Sequence, residues 1–323
     1  LWGGSHLMLR PLVRPLVRAL TRSPMESRGL RPTLSLDFTN GGVTDSRVTY
    51  SGGANGTRVN SAGLIVAATT PRFDYNPVTL APLGLLVEEA RTNLCLNSGD
   101  WSTGLFLATA APVTPAAGGL CNQRISFTAS TSALTVKYNT AGNLTLQYAN
   151  TVRVKAGSFT SCVVALRNAA QSIGIQYAAD LSAVTLTDVS YGSPTSKITP
   201  SIKLVGGGEY EITIGGVLNS GGGAETTGFY VLNPGSTVGT LDVGAGQIEV
   251  GAFGTSYIGP TAGSAVTRSA DSAVMTGTNF SSWYNQTQGT FVCTGDLTGG
   301  AAATFPFICA ATSASPNSDA IGI

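Results

Sequence analysis

Few side chains in this chain could do acid–base or nucleophilic work, and the carboxylates are the best supplied of them. Glu88/Glu89, Asp180/Asp188 and Glu209/Glu211 each bring two carboxyl groups close in sequence. Two carboxyl groups are what glycoside hydrolysis needs, one to protonate the leaving oxygen and one to attack or to activate water. Glu209 and Glu211 alternate along an apparent strand, so both side chains share one face, and that face is expected to meet solvent. The only histidine is His6, which leaves a Ser/His/Asp or Cys/His triad without a base. No GxGxxG in a βαβ setting, no P-loop and no HExxH occurs. No catalytic residue, cofactor or metal is therefore assigned, and the expectation is a protein that is not an enzyme.

The densest polar pattern is "PRFDYNPVTLAPLGLLVEEARTN", Pro71 to Asn93. Arg72, Asp74, Glu88, Glu89 and Arg91 are five of the 35 charged residues (18 basic plus 17 acidic), and they flank an apolar run, Val78 to Val87, broken by Pro82 and Gly84. Such a stretch could be an active site, a recognition tag or an assembly joint, and the joint is the preferred reading. Pairing of Arg72 or Arg91 with Glu88 or Glu89 across subunits would set register more than affinity. The plainer alternative is a solvated loop with local ion pairs. The Glu88 to Arg91 spacing suits a helix, yet the residues before it read as strand, so a strand followed by one short turn is expected.

What must position these groups is a β framework. The 41 glycines and a charged fraction of only 11%, with abundant Thr, Ser and Val, suit short strands and tight turns. At 323 residues the chain has room for two or three domains. "SRVTYSG" (46–52) and "GLIVAA" (63–68) read as strands divided by hairpin signals, as does "LSLDF" (34–38). From 101 to 257 strand candidates recur at sandwich spacing: "RISFTAS", "LTVKYNT", "LTLQYAN", "TVRVKAG", "SCVVALRN", "IGIQYAA", "VTLTDVS", "SIKLV", "YEITIGG" and "GFYVLN". Period-2 alternation in 151–155 and 209–214 predicts one wet and one buried sheet face.

Charge is uneven. Six arginines and one glutamate lie in the first 31 residues, so the remaining 12 basic and 16 acidic residues give a body of −4 under a total of +1. In "LRPLVRPLVRALTRS", Arg10, Arg14, Arg18 and Arg22 recur every four residues, with Leu12, Val13, Leu16 and Val17 between them. A helix would set a basic ridge beside an apolar one, although Pro11 and Pro15 argue against one unbroken helix. Nucleic acid, an anionic membrane or an organellar import machinery would each suit such a segment. A docking peptide that folds onto a partner protein is preferred, with no nucleic acid and no membrane insertion expected. The leading "LWGGSHLM" resembles a cloning remnant. Five scattered cysteines without CxxC or Cys/His spacing are expected to be buried reduced thiols, and no apolar run reaches the roughly 20 residues of a bilayer span.

In order, "PRFDYNPVTLAPLGLLVEEARTNL", "VRVKAGSF", "YEITIGG", "GFYVLN" and "GQIEVGAFGTSYIGPTAGSAVTRSAD" resemble a family of bacteriophage and prophage structural proteins. That family couples a carbohydrate-binding-module-like jelly roll to a laminin-G or concanavalin-like sandwich, and the resemblance spans residues 33 to about 293. It implies an all-β protein: a jelly-roll β-sandwich with an extended basic N-terminal arm and a partial second sandwich. The segments would be an arm (1–32), a β-rich joint (33–92), the jelly roll (93–270) and the start of the second sandwich (271–323), which a partner or further chain would complete.

The role implied is a tail-fibre or tail-appendage protein of the virion, assembled in the bacterial host cytoplasm. It would be a homotrimer held to other virion proteins by its arm, and would contact host-surface glycan. Trp101 in "NSGDWSTG" and Tyr191 in "DVSYGSP" sit among turn residues and are the candidate sugar platforms. Tyr148, Tyr177, Tyr210, Tyr230 and Trp283 are better suited to core packing. The alternative is a capsid or collar decoration or adaptor protein without receptor binding, and a remoter one is a polysaccharide depolymerase.

Overall fold

The structure, a computed structural model, describes residues 32–100, 110–113, 120–127, 134–138, 142–143, 145–168, 170, 172–219, 224–225, 227–232, 238–259, 261–285, 287–290, 292–296, 310–311 and 321–322. Trp101 and the arm residues Arg10, Leu12, Val13, Arg14, Leu16, Val17, Arg18 and Arg22 lie outside the described residues.

Six short strands come first: β1 (Thr49–Ser51), β2 (Thr57–Val59), β3 (Ile65–Ala67), β4 (Phe73–Tyr75), β5 (Pro82–Leu85) and β6 (Arg91–Asn93). The sandwich follows as β7 (Ala110–Val113), β8 (Gln123–Phe127), β9 (Leu134–Tyr138), β10 (Gly142–Asn143), β11 (Tyr148–Ala156), β12 (Ser161–Asn168) and β13 (Gly174–Asp180). It continues through β14 (Thr185–Asp188), β15 (Ser196–Lys197), β16 (Ser201–Leu204), β17 (Glu209–Val217), β18 (Ala224–Glu225), β19 (Thr227–Leu232) and β20 (Gly239–Val250). Then β21 (Val266–Arg268) and β22 (Ser272–Val274) return to pair with β6 and β1. Strands β23 (Ala310–Ala311) and β24 (Ile321–Gly322) pair with each other.

One antiparallel sheet runs β15-β17-β11-β20-β8-β7 with β16 also on β17, and the other runs β14-β13-β12-β19-β9. Taken in chain order, β8, β9, β11, β12, β13, β17, β19 and β20 lie as first, eighth, third and sixth in one sheet and second, seventh, fourth and fifth in the other. That order is a jelly roll, so the all-β expectation and the sandwich architecture hold. Val152, Val154, Ile212, Ile214, Leu241, Val243 and Ile248 from the larger sheet meet Val164, Leu166, Ile175 and Tyr177 from the smaller, all buried. Each such side chain contributes about 1.5–3 kcal/mol. A one-residue slip would turn the whole set outward.

Three local readings need correction. The end of "LTLQYAN", from Tyr148, runs on into "TVRVKAG" as a single strand, β11. "LSLDF" forms no strand, because the Asp37 carboxylate accepts the backbone N–H and hydroxyl of Thr39 and turns the chain. The longest strand, β20, goes unread because glycines punctuate it. Gly244 is required by packing, since a Cβ there would lie 1.6 Å from the Leu120 carbonyl oxygen. The register against β11 shifts between Thr151 and Arg153, a bulge that places Ala245 at φ 48°.

Asp37–Met275 belongs to one compact unit, which holds the strands from β1 to β22. A second unit contains residues 276–289, where the four-residue helix α1 (Thr278–Ser281) and the chain after it bring Phe280 onto Trp283 and Tyr284. Cys95, Cys121 and Cys162 are buried free thiols as expected. Cys293 is disulfide-bonded; it lies in irregular chain beside the exposed Val292 and not in a packed strand.

The N-terminal strands are fastened by charge. Arg72 is fully buried, donating Nε to Asp271 Oδ1 (3.0 Å), Nη2 to Asp271 Oδ2 and to Glu88 Oε2 (2.8 Å), and Nη1 to the Thr57 carbonyl (3.0 Å) and Ser256 Oγ (2.8 Å). Arg268, also fully buried, shares Glu88 Oε2 (3.0 Å) and donates to Thr255 Oγ1 (3.0 Å) and the Glu89 carbonyl (2.6 Å). Burial disfavours the charge on Arg72, but Asp271 and Glu88 outweigh it and hold its pKa above the ordinary value. Burial dominates at Arg268, which sits below it. Close approach of the two segments needs glycine: at Gly52, φ 88°, a Cβ would lie 1.7 Å from the Ala270 carbonyl oxygen. The β2–β3 turn meets the β4–β5 loop the same way, through Gly63 against Pro77 and Leu80, which leaves Leu64, Val78 and Leu80 about half exposed.

Arg72→Met strands Asp271 and part of Glu88 without a counter-charge, and breaking a buried pair from one side costs about 3–5 kcal/mol. Urea unfolding should show a loss of that size. A loss below about 1 kcal/mol, the worth of a surface pair, would contradict the fastening role.

Candidate functional site

Because Val152, Val154, Ile212 and Ile214 point inward, the alternate residues of β11 and β17 point out, and pairing sets them in rows. Thr151 faces Thr213, Arg153 faces Glu211 and Lys155 faces Glu209, while β16 extends the first two rows with Ser201 and Lys203. One row is hydroxyl, with Thr151 and Thr213 Oγ1 atoms 3.0 Å apart. The next alternates in charge: Lys203 Nζ to Glu211 Oε1 is 2.7 Å, Arg153 Nη2 to Glu211 Oε2 is 2.6 Å, and Arg153 Nη1 to Glu209 Oε2 is 3.9 Å. Burial raises the Glu211 pKa, but Arg153 and then Lys203 more than reverse that and hold it below the usual carboxylate value.

Thr151, Thr213, Ser201, Lys203 and Glu211 of these rows floor a cleft of about 410 Å³. Ile198, Thr199 and Ser201 line one side, and the loop Ala252–Thr255 lines the other with the half-buried ring of Phe253. Gly254 lets that loop rest on the floor, since a Cβ would lie 2.4 Å from Thr151 Oγ1. The fastening network fixes the loop from behind. Thr255 donates its N–H (2.8 Å) and hydroxyl (2.5 Å) to Glu249, Gln247 Nε2 donates to Glu249 Oε2 (2.8 Å), and the Ser256 N–H donates to Glu88 Oε1 (2.8 Å). Burial pushes the Glu249 carboxyl above its usual value.

Of the joint residues, Arg72 and Glu88 enter the buried network within one chain. Asp74 accepts the Val59 N–H (2.7 Å) and is raised by burial. Glu89 and Arg91 pair with each other, Glu89 being 53% exposed, and the Arg91 guanidinium lies 5.0 Å from the Phe253 ring centre. Tyr191 is half-buried and outside the cleft: its backbone bridges to Gly174, and a Cβ on Gly174 would meet its ring at 2.6 Å. The Arg167 guanidinium lies 5.5 Å from the centre of that ring. Tyr148 and Tyr177 are core.

The carboxylate pairs have structural work. Asp180 accepts the N–H groups of Ser182 and Ala183, and Asp188 is held at about 2 by Lys197 and Ser190. The expectation that Glu209 faces solvent is corrected. It is 5% exposed because Cys121 and Leu120 lie over it, donating their N–H groups at 3.0 and 3.4 Å. The cleft residues Thr151, Ser201, Lys203, Thr213 and Phe253 went unmarked, although alternation in 151–155 and 209–214 was the signal for the floor. Among the described residues no His/Cys/Asp/Glu cluster could hold a metal, and the cleft's chemistry is that of hydroxyl donors and acceptors, one compensated charge row and an apolar wall.

No family model matches the chain, and no curated protein matches it. Among solved structures, the family 11 carbohydrate-binding module of the cellulosomal cellulase Lic26A-Cel5E of Clostridium thermocellum is similar over 53% of this chain and 92% of that one, with 10% identity and a TM-score of 0.25. A superposition that loose carries no argument; the jelly roll stands on its own strand order. None of these comparisons points to a virion.

Because Glu211 is lowered, the stability it draws from Arg153 and Lys203 is present above the ordinary carboxylate value and is lost as pH falls through the lowered one. Between about pH 5 and pH 3 the urea midpoint of the parent should fall more steeply than that of Glu211→Gln. Parallel profiles would show that Glu211 is not so coupled.

Proposed function

We propose that this chain is a non-enzymatic structural protein of a phage or prophage virion, of the tail-fibre or tail-appendage kind, whose jelly roll binds a host-surface saccharide. The observation that carries the binding part is the cleft: hydroxyls in a row on a rigid sheet, beside a compensated Lys203–Glu211–Arg153 row and the Phe253 wall. Convergent polar groups with an apolar side suit a sugar, which has hydroxyls around its rim and C–H faces. A rigid sheet presents them at little entropic cost, and repeated copies on one particle turn weak single-site affinity into avidity.

The virion part rests on the long motifs 71–93 and 256–271 and on the basic arm, which is proposed to dock on other virion proteins after synthesis in the bacterial cytoplasm. The exposed Leu64, Val78 and Leu80 favour association with further copies, and a trimer is proposed.

Lys203→Ala and Phe253→Ala should each weaken binding to isolated host polysaccharide by at least about tenfold, equal to roughly 1.4 kcal/mol, with circular dichroism unchanged. Unaltered binding in both would overturn the cleft as the site. Release of reducing ends from the polysaccharide would overturn the non-enzymatic reading. Deleting residues 9–32 should give folded protein that fails to join particles, and incorporation at normal copy number would refute the anchoring role. Arm-dependent incorporation without any saccharide binding would turn the reading to a capsid or collar decoration protein.

A further inference from the structure

Resting on the saccharide reading, we infer that the cleft selects an uncharged saccharide over uronic acids and amino sugars. The charge row is closed on itself. Of the residues that line the cleft only Lys203 and Glu211 are charged, one of each sign, and both Glu211 oxygens already accept a cation's hydrogen bond, from Arg153 at 2.6 Å and Lys203 at 2.7 Å. Arg153 and Glu209 are each 7% exposed in their side chains, so neither can turn to meet a ligand charge. Because Lys203 and Glu211 are paired at 2.7 Å, a sugar carboxylate that reached Lys203 would also lie against Glu211, and a sugar ammonium that reached Glu211 would also lie against Lys203. Either charge would give up water for a counter-charge offset by a like charge unless it broke the pair, and both alternatives are costly.

Hydroxyl groups face no such cost. Lys203, 63% exposed, keeps ammonium protons beyond the one given to Glu211. Thr151 is buried, but its partner Thr213 is half-buried and keeps hydroxyl capacity beyond their shared bond, and Thr199 and Ser201 lie exposed at the rim. Ala252 and Phe253 supply the apolar side that a charged sugar would not reward more than a neutral one.

The test uses the full chain, titrated by calorimetry with neutral hexose tetrasaccharides of several linkages, with tetragalacturonate and with tetraglucosamine. At least one neutral tetrasaccharide should bind ten or more times tighter than either charged one, with less than a twofold change in affinity between about 50 and 500 mM salt, since screening acts on net charge. Breaking the row should move the preference predictably: Glu211→Gln should gain tetragalacturonate binding, and Lys203→Met, at an exposed position that the fold tolerates, should gain tetraglucosamine binding. Equal or tighter binding of a charged tetrasaccharide to the parent overturns the inference and leaves the saccharide reading standing. Binding of none of them overturns both. Neutral binding that neither variant alters places the sugar elsewhere and also overturns it.

Discussion

Two arginines without solvent, Arg72 and Arg268, set the terms for the rest of this molecule. A buried guanidinium is costly unless its protons are met, and Arg72 finds acceptors as far as 199 residues away in sequence, while Arg268 shares Glu88 Oε2 and leaves its Nε without a partner. The ring of Arg72, Asp271, Glu88 and Arg268 therefore forces the chain before the jelly roll to lie beside the chain that leaves it. The short strand pairs β1–β22 and β6–β21 follow from that closure, since none of these strands is long enough to hold itself.

The closure also reaches the sheet surface. Glu88 accepts the Ser256 N–H and Arg268 donates to the Thr255 hydroxyl oxygen, so the loop that walls the cleft is fixed from behind by buried charged groups. Glu249 grips the same loop from the end of β20. The jelly roll supplies the other half of the arrangement. Apolar alternation drives one face of β11, β16 and β17 inward, and the residues left outside form rows because antiparallel register is rigid. The pairing of Glu211 with both Lys203 and Arg153 is a product of that register, as is the hydroxyl row beside it.

Much of this could be read from residue order. Strands β11 and β17 announce themselves by alternation and β12 and β13 as candidates at sandwich spacing, and the strand order fulfils the expected sandwich. Strand β20 does not, because Gly244, Ala245 and Gly246 are there to pass close to Leu120 and to form a bulge, needs that arise only once the neighbours are in place. The charged stretch 71–93 drew attention for the right reason, its carboxylates and arginines, yet its partners at Ser256, Arg268 and Asp271 lie about 170 to 200 residues away and no local spacing reveals them. Glu209 looked like a solvated residue since alternation tells which face a side chain takes and not what later covers that face. Tyr191 looked exposed by its turn neighbours, whereas an isolated bridge to Gly174 holds it half-buried. The cleft floor was legible as a wet face, but its wall, Phe253, comes from a loop placed by the buried charges.

The central claim, that saccharide is held over the Thr151–Thr213 row, is tested most directly by backbone amide NMR of the full chain during titration with a neutral tetrasaccharide. The account predicts progressive shifts at Ser201, Lys203, Thr213 and Gly254 while Tyr191 and Gly192 stay still. Shifts confined to Tyr191 and Gly192, or none at saturating saccharide, would contradict it.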